Sequence, residues 1–223
     1  MGFGADGISR APGMRIGVGL LLLAAAGCGL ATAPASTPPL PHELELVAAE
    51  SRLRFVAVQD DDLPVSGWLR PLAGALDTEH RTGWIELALA TVETGDVERD
   101  DNLRDHVFEI EKFPTARVVV TTAETTWEPS DDSIPPAIGE PLEWDIRADL
   151  ELRGGRYPID AKLRITREAI GRLRVTTRAP VLIATRSTGL SAGFTLLEVI
   201  GQIESLSRVV PVEVDLVFQA PEP

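Results

Sequence analysis

Trp144-Asp145-Ile146-Arg147-Ala148-Asp149-Leu150-Glu151-Leu152-Arg153 places an apolar side chain at every second position and a charged one at every other. Successive side chains of a β-strand point to opposite faces, so this period of two describes a strand with one face buried and the other in water. A turn at Gly154-Gly155 follows, and Tyr157, Ile159, Ala161, Leu163 and Ile165 resume the alternation against Asp160, Lys162 and Arg164. The pair predicts an antiparallel hairpin.

The same period governs most of the chain on either side. Arg52 to Val58 and Trp84 to Ala90 alternate clearly, and Val65 to Leu76, punctuated by Gly67, Pro71 and Gly74, reads as two short strands or one bent strand. Ala116 to Ala123 is β-branched. Arg172 to Thr185, broken by Pro180, supplies one or two more strands, and Val210, Val212, Val214, Leu216 and Phe218 form the inward face of the last. Eight to ten short strands without a βαβ rhythm predict a mainly β protein, an antiparallel barrel or sandwich. Closure into a barrel of about eight strands removes exposed edges that would otherwise invite aggregation.

Two helices interrupt the strands. In Val92 to Pro114, after the fourth strand region, Asp100 occupies an expected N-cap and Asp101 the first turn. Leu103, Val107 and Phe108 share one face, and Lys112-Phe113-Pro114 marks the end. This segment reads as a crossover that caps one barrel end, with Leu103, Val107, Phe108 and Phe113 sealing the interior. A second helical patch before the last strand, Phe194 to Leu206, carries Phe194, Leu197, Ile200 and Ile203 at helical spacing. It either plugs an end of the barrel or packs on the core. Residues 124–142 are too rich in proline and acid for regular structure and read as a hairpin extension near a barrel mouth.

The first residues have a different character. Arg10 and Arg15 precede an apolar run from Ile16 to Ala26, roughly eleven residues against the roughly 20 of a membrane-spanning helix, so residues 1–27 read as an export signal. Met14 is an alternative start. Leu23-Ala24-Ala25-Ala26-Gly27-Cys28 resembles a bacterial lipoprotein lipobox, which implies lipidation of Cys28 and a membrane anchor; the alternative is a soluble exported protein cut nearby. Residues 28–42, with Pro34, Pro38, Pro39 and Pro41, read as a tether, and residues 43–220 as one barrel domain. The expected location is the cell envelope, facing the periplasm or the cell surface. Cys28 is the sole cysteine, so no intrachain disulfide forms and stability comes from the core.

Without residues 1–27 the chain keeps 19 basic and 33 acidic residues, about −14 in charge. That balance repels phosphate backbones and excludes nucleic acid as a partner. The histidines, His42, His80 and His106, are scattered without zinc-ligand spacing. Gly189-Leu190-Ser191-Ala192-Gly193 fits the nucleophile-elbow pattern G-x-S-x-G, but every histidine precedes Ser191, against the hydrolase order, and the surroundings are antiparallel. A Ser191 hydrolase is therefore the remote alternative, and no catalytic residue, metal or cofactor is expected. What remains is the barrel interior, where Phe55, Ile85, Leu87, Leu89, Phe108, Ile146, Ala148 and Leu150 either bind an apolar lipid or simply fill the core.

The order SRLRFVAVQ, SGWLRPLAGAL, IELALATVETGDVERDDNLRDHVFEIEKFPTARV and LELRGGRYPIDAKLRI, closed by APVLIATRSTGL and SRVVPVEVDLVF, resembles the YceI-like family of bacterial envelope proteins. The likeness spans about Glu43 to Gln219. It implies a lipocalin-like antiparallel barrel enclosing an isoprenoid chain of the polyprenyl or quinone type, bound without catalysis. A second reading is a structural or interaction module with a filled barrel that presents its acidic surface to an envelope partner.

Overall fold

In the computed structural model residues 40–120 and 137–221 are described. Ten strands form one antiparallel sheet: β1 (Glu43–Leu46), β2 (Arg52–Gln59), β3 (Leu63–Asp77), β4 (Thr82–Glu93), β5 (Thr115–Val120), β6 (Pro141–Leu152), β7 (Gly155–Ala169), β8 (Arg172–Ala179), β9 (Val181–Ala184) and β10 (Val209–Gln219). The sheet closes because β10 pairs with both β8 and β2, so that β2 to β8 and β10 make an eight-stranded barrel. The short β1 and β9 lengthen its wall by pairing beside β10.

The hairpin read from Trp144 onward forms in full register, from Pro141↔Thr166 to Leu152↔Gly155. Its turn lies one residue earlier than expected, at Arg153-Gly154, both with positive φ (51° and 75°). Two left-handed residues match the twist of the flanking strands, which is why a tight hairpin uses them. Val65 to Leu76 is part of one bent strand, β3, with register shifts between Trp68 and Arg70 and between Pro71 and Ala73. Pro71, which lacks a ladder donor, stands at the second shift.

Inward positions hold the apolar core, and fully burying one such side chain is worth about 1.5–3 kcal/mol. Outward positions carry cross-strand ion pairs such as Arg147–Asp160, Arg156–Glu151 and Arg178–Asp145. Apolar inside and charged outside is the inverse of a transmembrane barrel. Among the described residues no helix is long and apolar enough to cross a membrane.

Helix α1 (Val97–Asn102) follows β4 and runs into a π-helical turn, Leu103–Phe108. Its N-cap is Asp96, whose carboxylate accepts the Arg99 N–H at 2.9 Å, and not Asp100. Two aspartates four residues apart offer the same cap, and Asp96 takes it because its backbone is extended there (φ −132°, ψ 114°). The turn ends at Glu109, in the left-handed conformation and ion-paired to Arg153, before Lys112-Phe113-Pro114 is reached. Helix α2 spans Ser191–Gly201, three residues earlier at its start and five at its end than the expected Phe194 to Leu206. Gln202, with φ 51°, terminates it; Phe194 and Leu197 face the core, whereas Ile200 is exposed and Ile203 lies beyond the helix.

The expected tether is shorter at its C-terminal side. Leu40 is buried, and the carbonyls of Pro41 and His42 accept hydrogen bonds from Thr78, so packing begins before residue 43. The signal segment, Cys28 and most of the 124–142 segment lie outside the described residues.

Candidate functional site

Inward alternation converges on a cavity of about 240 Å³ inside the barrel. All eight residues expected from the sequence line it: Phe55 from β2, Ile85, Leu87 and Leu89 from β4, Ile146, Ala148 and Leu150 from β6, and Phe108 from the π-helical turn. A space needs roughly 10–15 Å³ on this scale to hold one water-sized group, so the cavity takes a chain of roughly a dozen or more such groups. The barrel is therefore not filled by its own side chains.

The π-helical turn and α2 close one end together. Leu103, Val107 and Phe108 line the cavity from the turn, and Leu190 and Phe194 line it from α2 and the residue before it. Phe113, expected to help seal the interior, lies instead beside the hairpin turn, 3.6 Å from where a Cβ on Gly154 would stand. Gly193 makes the closure tight, because a Cβ there would lie 2.6 Å from the His106 carbonyl oxygen and 2.7 Å from the Val107 Cα. Arg81, in the turn between β3 and β4, lines the cavity from the strand ends opposite the helices.

Further lining residues were legible in the alternation but not assigned to a site. Val210, Val212, Val214 and Leu216 of β10, Ile159 to Ile165 at alternate positions of β7, and Trp144 at the head of the β6 pattern all face the cavity. Val175 and Thr177 of β8 complete the wall.

The lining is almost wholly apolar, with Arg81 and Thr177 as its polar side chains and Trp84 and Trp144 as amphipathic ones. Among the described residues that line it, Arg81 is the one charged side chain. Ser191 opens α2 after the antiparallel β9, and its hydroxyl makes no hydrogen bond to a histidine among the described residues. The glycines of its motif have structural roles: Gly189 adopts φ 72° in the turn, and Gly193 lets two helical segments touch. Among the described residues no three histidine, cysteine or acidic side chains are grouped to hold a metal.

Residues 44–218 match the sequence model described as the YceI-like domain. A solved polyisoprenoid binding domain from Saccharophagus degradans, implicated in plant cell wall breakdown, is 28% identical; the match covers 81% of this chain and 99% of that one, with a TM-score of 0.71. Burkholderia cenocepacia BcnA shares the fold at 14% identity, over 77% of this chain and 98% of that one, with a TM-score of 0.54. No curated protein sequence matches significantly.

Proposed function

The chain belongs to the YceI-like domain family, and from that membership we propose that its barrel binds an isoprenoid-like lipid, of the polyprenyl or quinone type, and sequesters or carries it without catalysis. The observation that carries this reading is the continuous apolar cavity in a barrel whose outer face is charged. Burial of a hydrocarbon chain is worth roughly 25 cal/mol per Å² of apolar surface removed from water, so such a lining holds a prenyl chain without polar contacts along its length. The 28% identical polyisoprenoid binding domain supports the same ligand class. A filled-barrel module is disfavoured by the space itself, and a Ser191 hydrolase by the position of the serine at the start of α2 without a hydrogen bond to a base among the described residues.

We further propose that Cys28 is lipidated and anchors the mature protein in the cell envelope, with residues 29–39 as the tether. The motivation is the lipobox-like Leu23 to Cys28 after a short apolar run. Labelling with a fatty-acid probe tests it, and an unlabelled wild type beside an equally unlabelled Cys28→Ser would refute the anchor. For the barrel, mass spectrometry of lipids that co-purify with the mature protein is decisive. An isoprenoid is expected; no co-purifying lipid together with no uptake of a labelled polyprenol would overturn the reading.

A further inference from the structure

Two spaces meet at the helical end of the barrel, with a wall one residue thick between them. Inside is the apolar cavity, lined there by Val107, Phe108, Leu190 and Phe194. Outside is a cleft lined by their chain neighbours His106, Glu109 and Gly193, and by Arg153. The barrel wall elsewhere is hydrogen-bonded strand, whereas here the π-helical turn and α2 touch backbone to backbone at Gly193. Both elements are fastened at the ends away from this contact. Arg104 donates to the Ala90 and Val92 carbonyls at 3.0 and 2.8 Å, which ties the start of the turn to β4. Glu198 accepts the Leu206 N–H at 2.8 Å and pairs with Arg208, which ties the second half of α2 to the chain leading into β10. The ends nearer the cavity meet at one side chain. Arg153, in the β6–β7 turn, is ion-paired with Glu109 and donates to the Gly189 carbonyl at 2.9 Å. Glu109 follows Phe108 and Gly189 precedes Leu190, so one guanidinium holds the neighbours of two residues that seal the cavity. Arg153 has φ 51°, a conformation that glycine or asparagine adopts more readily, so it is the reach of its side chain that this position uses.

We propose that this wall is the portal through which lipid enters and leaves the barrel, and that Arg153 is the positioning residue that keeps it shut. When the guanidinium releases Glu109 and Gly189, the cavity-side ends of the π-helical turn and α2 part about their fastened ends, and the outer cleft runs into the cavity. Lys112 holds Glu109 from the solvent side at 2.9 Å, so the carboxylate keeps a cation beside it when Arg153 lets go. A partly exposed ion pair and one hydrogen bond make a clasp that opens locally without unfolding the barrel. Apolar side chains stand on both sides of α2, Leu190 and Phe194 toward the cavity and the exposed Leu196, Val199 and Ile200 away from it, which suits the passage of a hydrocarbon chain. Arg153 lines the cleft and not the cavity, so it acts on the rate of exchange and not on the contacts of the bound lipid. This inference rests on the barrel-binding reading above and adds the route of the ligand and the residue that controls it.

The test follows a fluorescent probe, anthraniloyl-labelled geranylgeraniol, binding to the mature wild type and to Arg153→Asn. Asparagine suits the left-handed backbone at 153 and is too short to hold Glu109 and Gly189 together. Stopped-flow association and dissociation rates are both expected to rise about tenfold, the effect of losing one charge-assisted hydrogen bond from the closed state. Kd is expected to stay within about twofold, because no lining residue has changed. In the wild type both rates should also rise with salt, which screens the ion pair, and Arg153→Asn should lose that dependence. Should Arg153→Asn fail to fold, Glu109→Gln, which replaces the ion pair by a neutral hydrogen bond, and the salt series on the wild type decide the question by the same rise in rates. Unchanged rates in folded Arg153→Asn, or in its absence unchanged rates in Glu109→Gln and across the salt series, would overturn the portal and leave the opposite end, beside Arg81, as the entrance. A weaker Kd with the association rate unmoved would overturn the positioning role, because it would put Arg153 in contact with the ligand. No binding of the probe to the wild type would overturn the barrel reading itself.

Discussion

Asp100 and Thr94 are joined twice: one carboxylate oxygen of Asp100 accepts the Thr94 backbone N–H at 2.8 Å and the Thr94 hydroxyl at 2.7 Å. Asp100 is 6% exposed, so this pair, and not the helix cap, is where that aspartate acts. It ties the end of β4 to α1 and so aims the closing turn at the barrel. Asp100→Ala leaves the half-buried Thr94 N–H and hydroxyl without their shared acceptor and is expected to cost about 2 kcal/mol. Asp100→Asn keeps an acceptor oxygen and should cost about 1 kcal/mol. Urea denaturation distinguishes them, and equal midpoints for both variants would show that the Thr94 pair contributes little.

Gly193 against Val107 gives a second prediction, in which two effects oppose each other. Alanine within a helix is favoured over glycine by about 1 kcal/mol. A Cβ at 193, however, meets only backbone, the His106 carbonyl and the Val107 Cα, which cannot swing aside as a side chain would. Overpacking of this kind costs about 1–3 kcal/mol, so Gly193→Ala is expected to lower the melting temperature. A rise would mean that α2 docks more loosely than the contact implies.

Gly67 tests the cavity without disturbing the backbone. It faces Phe55 across β2 and β3, and a Cβ there would stand 2.2 Å from the tip of the Phe55 ring. The ring is the mobile end of its side chain, so Gly67→Ala should displace it within the barrel at a cost of about 1 kcal/mol. The amount of isoprenoid that co-purifies should fall. Unchanged lipid content in a folded variant would remove Phe55 from the binding wall.

Glu168 gives the pH dependence. Its carboxylate lies between Arg174 and Arg172, which hold it below the usual carboxylate value, Arg174 foremost. Arg174 also reaches Asp215 on β10, so the cluster fastens the seam where the barrel closes. A carboxyl whose value is lowered by folding stabilises the fold above the unfolded value of about 4.3, and that contribution is lost as pH falls through the lower folded value. Wild type is therefore expected to exceed Glu168→Gln in stability at pH 7 by under about 1 kcal/mol, as suits a partly solvated cluster. The gap should close below about pH 4. A gap that widens in acid would reverse the assignment.

How much of this was legible in the chain depends on how local each cause is. Alternation is a property of consecutive residues, so the strands from Arg52, Trp84, Trp144 and Tyr157 and the inward set Ile85, Leu87, Leu89, Ile146, Ala148 and Leu150 follow from the sequence alone. Helix ends follow less well. Asp96 and Asp100 are chemically identical candidates, and only the path of the chain out of β4 decides which one caps and which one is buried against Thr94. Likewise Lys112-Phe113-Pro114 is a sound stop signal, yet the helix ends at Phe108, where Glu109 turns left-handed beside Arg153, a residue 44 positions away.

By itself the sequence determined that this is an antiparallel β protein with a wet outer face, an apolar inner face and two helical interruptions, because period, charge and punctuation act over a few residues. Only the tertiary structure decided that β10 closes the ring through both β8 and β2, that the inward side chains leave about 240 Å³ among them, and that Arg153 joins Glu109 to Gly189. The physical reason is that closure, packing volume and hydrogen-bond pairing are sums over residues far apart in the chain. An alternating pattern reads the same whether the side chains it sends inward meet one another or leave room for a guest.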